Sequence, residues 1–290
     1  LNMSKTTRYP VFIISKGRWK TMHTVRALQE MNTAFKLVVE PKEFAMYSKN
    51  LSEEHILKTP ENFSEQGSGS IPVRNWVWDY SLTQRDGRHW LLDDNIRGFE
   101  RLNKNTRGKV WTNGIFRAAE DFVDRFENVA LAGFEYRQFS GGARRYKPAF
   151  KVNRRIYSCS LINNSLSFRW RGKFNEDTDL CLRAMKDGWG TISFNCFVQS
   201  KIATMTMEGG NTDTIYNQGD ERLEFAQSLA DQHPDCVTVV RKFGRWHHEV
   251  DCRKFRNNDL RLKDEFQKRI GERSVNNYNM KEVTGDGHAV

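Results

Sequence analysis

No apolar run in the 290-residue sequence approaches the ~20 residues that a helix needs to span a bilayer. The sequence also lacks the positively charged and then apolar segment that is typical of a secretory leader. These two absences argue against a membrane-embedded or exported protein. We therefore expect an intracellular protein with no membrane among its partners.

Cysteine is scarce as well, because the chain has only five, at positions 159, 181, 196, 236 and 252. No two of them form the Cys-x-x-Cys pair of a zinc ribbon, and their odd number and scatter do not fit a disulfide framework. A reducing, intracellular compartment agrees with this pattern.

Acidic residues are absent from residues 136–175, although the whole chain carries 36 of them. The same stretch is rich in lysine and arginine with aromatic residues between them, and the net charge of the chain is +10. This distribution favours a polyanionic partner, so we predict contacts to nucleic-acid phosphates that do not read sequence. The alternative is a solvated basic face. The predicted contacts are Arg144, Arg145, Lys151, Arg154, Arg155, Arg169 and Arg171.

Hydrophobic periodicity near the start predicts a strand, a helix and a second strand. Residues 9–15 and 35–39 are short apolar runs, and between them Met22, Val25 and Leu28 recur at helical spacing. A βαβ unit implies parallel strands with a right-handed crossover. The sequence therefore predicts an α/β fold with a mostly parallel sheet flanked by helices.

Later segments continue this pattern and divide the chain into two parts. We predict strands at residues 89–92, 129–134 and 191–198, and helices at residues 74–81, 113–128 and 175–188. Beyond residue 205 the pattern weakens to a loop at 209–219, a helix at 221–229 and a strand at 236–240. We expect a core at residues 3–205 and a C-terminal extension at 206–290 that packs on it.

Three polar residues follow the predicted strand at 89–92. Asp93, Asp94 and Asn95 would lie where ligands of an open α/β sheet bind, at the carboxyl end of a strand. Their oxygens suit Mg²⁺ or Mn²⁺, and such an ion would neutralise a diphosphate. The alternative is an ordinary turn, because Asp and Asn are common turn formers.

A second acidic cluster begins the predicted helix at 175–188. Glu176 and Asp177, with Asp179 after them, could supply a general base that faces the crevice of the sheet. The alternative is helix capping together with a favourable interaction with the helix dipole. We expect Asp179 to cap or pack rather than react.

Together these features resemble GT-A glycosyltransferases, and more narrowly the TET/JBP-associated glycosyltransferase family. That family includes base-J glucosyltransferases and phage enzymes that glycosylate hydroxymethylated pyrimidines in DNA. The resemblance extends over about residues 9–200 and rests on residues 10–18, 38–43 with Tyr47, Arg74 with Asn75, 91–95, 175–180, and Gly188 with Trp189.

The resemblance implies a Rossmann-like GT-A fold with a nucleotide-sugar site and a Mn²⁺ or Mg²⁺ ion. The residues implied to bind a uridine diphosphate sugar are Ser15, Lys16, Arg18, Glu40, Arg74, Asp93 and Asn95. Those implied to hold the metal are Asp93, Asp94, Asn95 and His248, although a surface pair of His247 and His248 is the alternative. Asn95 departs from the acidic third position of the family's motif, which leaves the individual metal ligands open.

The resemblance also implies an inverting transfer of glucose or arabinose, with Asp177 as the base and Glu176 as the second candidate. The acceptor would be the hydroxyl of 5-hydroxymethylcytosine, or of another hydroxymethylpyrimidine, in duplex DNA. No obligate protein partner is expected, and a phage-encoded enzyme would work in the cytoplasm of the host cell. The alternatives are a glycan or protein acceptor, or a non-enzymatic nucleic-acid-binding protein.

Overall fold

A computed structural model describes residues 7–103, 106–139, 148–172, 174–202 and 221–267. The helices are α1 (His23–Glu30), α2 (Phe44–Tyr47), α3 (Ile71–Thr83), α4 (Gly114–Val123), α5 (Glu176–Lys186) and α6 (Glu221–Gln232). The strands are β1 (Val11–Ile14), β2 (Lys36–Val39), β3 (Ile56–Lys58), β4 (Arg88–Asp93), β5 (Ile96–Asn103), β6 (Thr106–Lys109), β7 (Val129–Tyr136), β8 (Phe150–Val152), β9 (Cys159–Asn163), β10 (Gly190–Lys201), β11 (Val237–Lys242) and β12 (Arg245–Val250).

Ten strands form one sheet in the order β3–β2–β1–β4–β9–β7–β10–β5–β6, with β8 also paired to β10. The pairings set β1, β2, β3, β4, β6, β7 and β10 in one direction and β5, β8 and β9 in the other. The sheet is therefore mostly parallel in strand direction, which confirms the predicted α/β class and agrees with a Rossmann-like glycosyltransferase fold.

The sheet is covered by helices on both faces. Side chains alternate along a strand, so in β1 Ile13 packs into one core and Phe12 into the other. α1 and α4 cover the first face, and α3, α5 and α6 cover the second. The predicted βαβ unit is present, since β1 pairs in parallel with β2 and places Ile13 opposite Leu37.

Some predictions were wrong in detail. The helix predicted to reach residue 128 ends at Val123, because residue Phe126 forms a bridge to Leu262 instead of continuing the helix. The acid-free stretch is not one continuous surface, because it contains β9, whose residues Cys159–Asn163 are all buried. The predicted loop at 209–219 lies outside the described residues.

The extension contributes α6 and a hairpin of β11 and β12. Leu229, Cys236 and Val237 are buried in the same core as Leu180 and Cys181 of α5. The hairpin therefore lies against the core, although the predicted boundary at residue 205 falls outside the described residues. Among the described helices, none combines the length and the apolar character needed to cross a membrane.

Candidate active site

A cleft of about 620 Å³ opens at one edge of the large sheet. Because β1, β2, β4, β7 and β10 run in the same direction, their carboxyl ends all meet at this edge. The cleft is lined by every residue that the sequence predicted for catalysis, nucleotide sugar or metal: Ser15, Lys16, Arg18, Glu40, Arg74, Asp93, Asp94, Asn95, Glu176, Asp177 and His248.

Asp93, the last residue of β4, lies between two cationic side chains. Lys201 Nζ donates to its Oδ2 at 2.8 Å, and Arg74 Nη2 donates to its Oδ1 at 3.1 Å. Burial alone would raise the pKa of Asp93, but Lys201 and Arg74 hold it well below its usual range. Asp93 is therefore a carboxylate with both oxygens engaged.

Asp94 is paired separately and is almost fully buried. Arg18 Nη1 forms an ion pair with its Oδ1, and Ser15 Oγ donates to its Oδ2 at 2.7 Å. Burial raises the pKa of Asp94 in spite of these partners. Ser15 Oγ is itself 2.6 Å from the hydroxyl of Tyr47, so three segments of the resemblance meet here.

The turn that carries Asp94 and Asn95 joins β4 to β5 and is held by α1. Thr24 Oγ1 donates to the Asp93 carbonyl at 2.6 Å and accepts from the Ile96 amide at 2.9 Å. The backbone is thus an ordinary turn, as the alternative required, yet its side chains line the cleft. Asn95 Oδ1 is buried without a hydrogen-bond partner among the described residues.

Glu40 has a structural contact at the end of β2. Its Oε1 accepts from the amide of Ser64 at 2.6 Å, and its Oε2 accepts from Ser64 Oγ at 2.5 Å. Glu40 therefore fixes the 3₁₀ turn Phe63–Gln66 at the rim of the cleft. Lys16 lines the cleft beside it.

The first turn of α5 presents Glu176 and Asp177 to the cleft. Burial, followed by the negative charge of Glu176, raises the pKa of Asp177 to about 6. Glu176 Oε1 accepts from Ser70 Oγ at 3.2 Å and lies 3.5 Å from Arg74 Nε. A half-buried carboxylate with this pKa suits a general base near neutral pH.

Asp179 faces the core, as expected for a packing residue. Its oxygens accept from His233 Nε2 at 2.9 Å, from Arg183 Nε at 2.8 Å and from Arg171 Nη2 at 3.0 Å. Burial acts to raise the pKa of Asp179, but these donors lower it to about 2. Asn175 begins the helix in a left-handed conformation, and its amide donates to the Phe225 carbonyl instead of capping.

Several cleft residues were not predicted from the sequence, and four of them contact one another. Lys201 ends β10, Tyr136 ends β7, and Tyr157 and Ser158 precede β9. Ser158 Oγ accepts from Lys201 Nζ at 2.7 Å and is 2.8 Å from the Tyr136 hydroxyl. The rings of Tyr136 and Tyr157 stack with centroids 5.3 Å apart.

His247 and His248 also line the cleft, on strand β12. Arg155 Nη1 is 2.8 Å from His248 Nε2, and because arginine can only donate, this nitrogen accepts. Burial, then the charges of Arg155 and His247, lower the pKa of His248 to about 4. His247 Nε2 is buried without a hydrogen-bond partner among the described residues.

The expected metal stays a prediction, and most of the donor set in this arrangement does not fit it, although Asn95 Oδ1 has no hydrogen-bond partner among the described residues. Both oxygens of Asp93 and both of Asp94 already accept from cations or a hydroxyl. His248 Nε2 is turned to Arg155. In the part of the chain that the structure describes, no group of three or more His, Cys, Asp or Glu side chains is arranged to hold a metal ion.

The residues predicted to contact nucleic acid fall into three groups. Lys151, Arg154 and Arg155 line a second groove of about 880 Å³, which shares Phe139, Arg155 and Tyr157 with the cleft. Acidic side chains from outside the acid-free stretch also line it: Glu135, Asp235, Glu249 and Asp251. Within the described residues, no ion pair joins these acids to Lys151 or Arg154.

The other two groups differ from the first. Arg169 forms an ion pair with Asp79, and Arg171 forms one with Asp179, so both guanidinium groups have intramolecular partners. Arg144 and Arg145 lie outside the described residues. Trp170, between Arg169 and Arg171 in the sequence, is buried beneath Arg74, whose Cζ is 4.9 Å from the ring centroid.

Comparison with known protein families gives a match over most of the chain. A search of curated proteins found no significant relative of the chain. The profile of the TET-Associated Glycosyltransferase family matches residues 9–210. This range includes every cleft residue predicted for the nucleotide sugar, for catalysis or for the metal, apart from His248. Because the match covers most of the chain, the protein is a glycosyltransferase that belongs to the TET-associated glycosyltransferase family.

Proposed function

We propose that the protein transfers glucose or arabinose from a uridine diphosphate sugar to a hydroxymethylpyrimidine in DNA, with 5-hydroxymethylcytosine as the expected base. The observation that carries this proposal is the position of Asp177. A carboxylate with a pKa raised to about 6 faces the same cleft as the predicted nucleotide-sugar residues. This combination supports transfer of the sugar over binding alone.

The donor would lie along the ends of β1, β2 and β4. Ser15, Lys16 and Arg18 follow β1 directly and would contact the uridine diphosphate, while Arg74 and Asp93 would approach the sugar and phosphates. Positive side chains in the cleft stabilise the charge that develops on the leaving diphosphate. No step of this proposal depends on a metal.

The chemistry is a single displacement at the anomeric carbon. Asp177 accepts the proton of the acceptor hydroxyl as the hydroxyl oxygen forms its bond to that carbon. The bond between the anomeric carbon and the diphosphate oxygen breaks on the opposite face, so the configuration inverts and the nucleoside diphosphate leaves. Glu176 keeps the pKa of Asp177 high and so makes it a stronger base.

The acceptor base would enter from the side of the second groove. Enzymes that modify bases commonly flip them out of the helix and stack them on aromatic side chains. Tyr136 and Tyr157 form a stacked aromatic pair in the cleft, and Arg155 Cζ is 5.4 Å from the Tyr157 ring centroid. Lys151 and Arg154 in the second groove would then contact the phosphates on either side.

Mass spectrometry of modified DNA tests this proposal. Duplex DNA containing 5-hydroxymethylcytosine would be incubated with the purified protein and each member of a panel of uridine diphosphate sugars, with Mn²⁺ or with EDTA. We expect a hexose or pentose mass increment on the modified base only. No increment with any sugar, combined with transfer to a glycan or protein acceptor, would support the alternative acceptor class. If no sugar donor is consumed under any condition, the result would support the alternative of a non-enzymatic nucleic-acid-binding protein.

A further inference from the structure

Lys201 places a fixed positive charge where the family resemblance predicts a metal ion. Its Nζ is 2.8 Å from Asp93 Oδ2, and Arg74 Nη2 is 3.1 Å from Asp93 Oδ1. The side chains of Lys201 and Arg74 are only 14% and 12% exposed, so water screens these contacts little. Both carboxylate oxygens therefore already accept charge-assisted hydrogen bonds.

A divalent ion on Asp93 would lie next to this ammonium group. Ions such as Mg²⁺ approach carboxylate oxygens to about 2.0–2.1 Å, and Lys201 Nζ is 2.8 Å from the same oxygen. The ammonium and the ion thus compete for one carboxylate.

The neighbouring carboxylate offers no replacement site. Asp94 forms an ion pair with Arg18 and accepts from Ser15 Oγ at 2.7 Å. Lys201 itself keeps capacity for a ligand, because Asp93 and Ser158 take two of its three N–H groups within the described part of the chain. Its position at the carboxyl end of β10 places the ammonium in the cleft.

We propose that Lys201, supported by Arg74, replaces the divalent cation and neutralises the leaving diphosphate, so that transfer needs no metal. This inference rests on the proposed function and identifies Lys201 as the residue that stabilises the leaving diphosphate of that reaction. Asp93 then acts as a positioning residue, which holds both cations at the place where the diphosphate charge develops. Lys16 and Arg155 add positive charge to the same cleft.

Binding of Mn²⁺ alone, followed by electron paramagnetic resonance on the full chain, tests this inference without donor or acceptor. The wild-type protein is expected to bind no Mn²⁺ at the cleft. Lys201→Met removes the competing ammonium from Asp93, so we expect Mn²⁺ affinity to rise by about tenfold or more. Lys186→Met is the matched control, because it frees Asp235 from an ion pair of 2.5 Å outside the cleft and should gain no binding.

One Mn²⁺ bound to the wild-type protein and lost in Asp93→Asn would overturn the inference. So would a folded Lys201→Met variant, checked by circular dichroism, that gains no Mn²⁺ affinity. If the variant does not fold, the wild-type measurement decides alone. Failure of every sugar-transfer assay would instead count against the proposed function, because the Mn²⁺ measurement does not depend on it. Where transfer is detected, EDTA should leave the rate unchanged.

Discussion

The two acids of the first turn of α5 differ because their surroundings differ. Glu176 contacts Ser70 and Arg74, whereas Asp177 is half-buried next to the charge of Glu176. Two neighbouring carboxylates repel each other when both are ionised. This repulsion, together with burial, raises the pKa of Asp177. The residue that resists ionisation is the better base once it is ionised.

The raised pKa of Asp177 predicts a pH profile. A base acts only when deprotonated, so kcat/KM should rise with pH and level off above a pKa of about 6. Below that pKa it should fall by about tenfold for each pH unit, since the carboxylate fraction falls by that factor. Steady-state rates measured between about pH 4.5 and about pH 8 give the profile. A rate independent of pH across that range would contradict the role of Asp177.

At the scale of elements, the sequence predicted the helices and strands that have a regular apolar pattern. It missed strand residues that are polar and yet buried. The helical spacing of α1 and the apolar run of β4 were correct because burial of one face decides both. Strand β10 was predicted to end at residue 198, but it continues to Lys201. Gln199 is fully buried, and its Nε2 donates to the carbonyls of Phe134 and Tyr157.

Because the predicted strand ended at residue 198, Lys201 was not predicted as a residue of the cleft. Antiparallel pairing with β5 continues past Gln199 and places Lys201 opposite Ile96, at the edge where the cleft lies. Strand β9 was not predicted, and its residues lie within the acid-free stretch. Which strands are neighbours is a long-range property, so the residues that antiparallel β9 brings to the cleft could not be predicted from local pattern.

Close packing between β7 and β9 gives a prediction about stability. A Cβ on Gly133 would lie 2.3 Å from the Cys159 carbonyl oxygen and 2.4 Å from Ile156 Cγ2. Gly133→Ala should therefore lower the free energy of unfolding by about 1–3 kcal/mol or more. Gly98→Ala, in β5 of the same sheet, is the control because nothing lies within 4 Å of its Cβ. Urea denaturation compares them, and equal stability of the two variants would contradict the packing described.

At the scale of the whole molecule, charge is not uniformly positive around the second groove, the proposed acceptor side. The net charge of +10 is real, but carboxylates from β7 and β12 share the second groove with Lys151 and Arg154. The sequence could show a basic stretch but not the acids that folding brings beside it. Binding of DNA should therefore depend on a few cations and not on the stretch as a whole.

The salt dependence of DNA binding measures the contribution of an individual cation. Each phosphate contact adds about −0.9 to the slope of log K against log salt concentration. Arg154→Ala should make the slope for hydroxymethylated duplex shallower by about 1. Lys36→Ala, on β2 and away from both grooves, should leave it unchanged. Fluorescence anisotropy at several salt concentrations provides the slopes, and identical slopes for wild type and Arg154→Ala would remove Arg154 from the DNA contact.

The central claim is that Asp177 is the base of an inverting sugar transfer. The most direct measurement is the rate of sugar transfer to hydroxymethylcytosine DNA by Asp177→Asn, which keeps the shape of the side chain and removes its basicity. We expect kcat to fall by about 10²–10⁴-fold. Asp187→Asn, at the exposed end of the same helix, should retain the wild-type rate. A near-wild-type rate in Asp177→Asn would contradict the account.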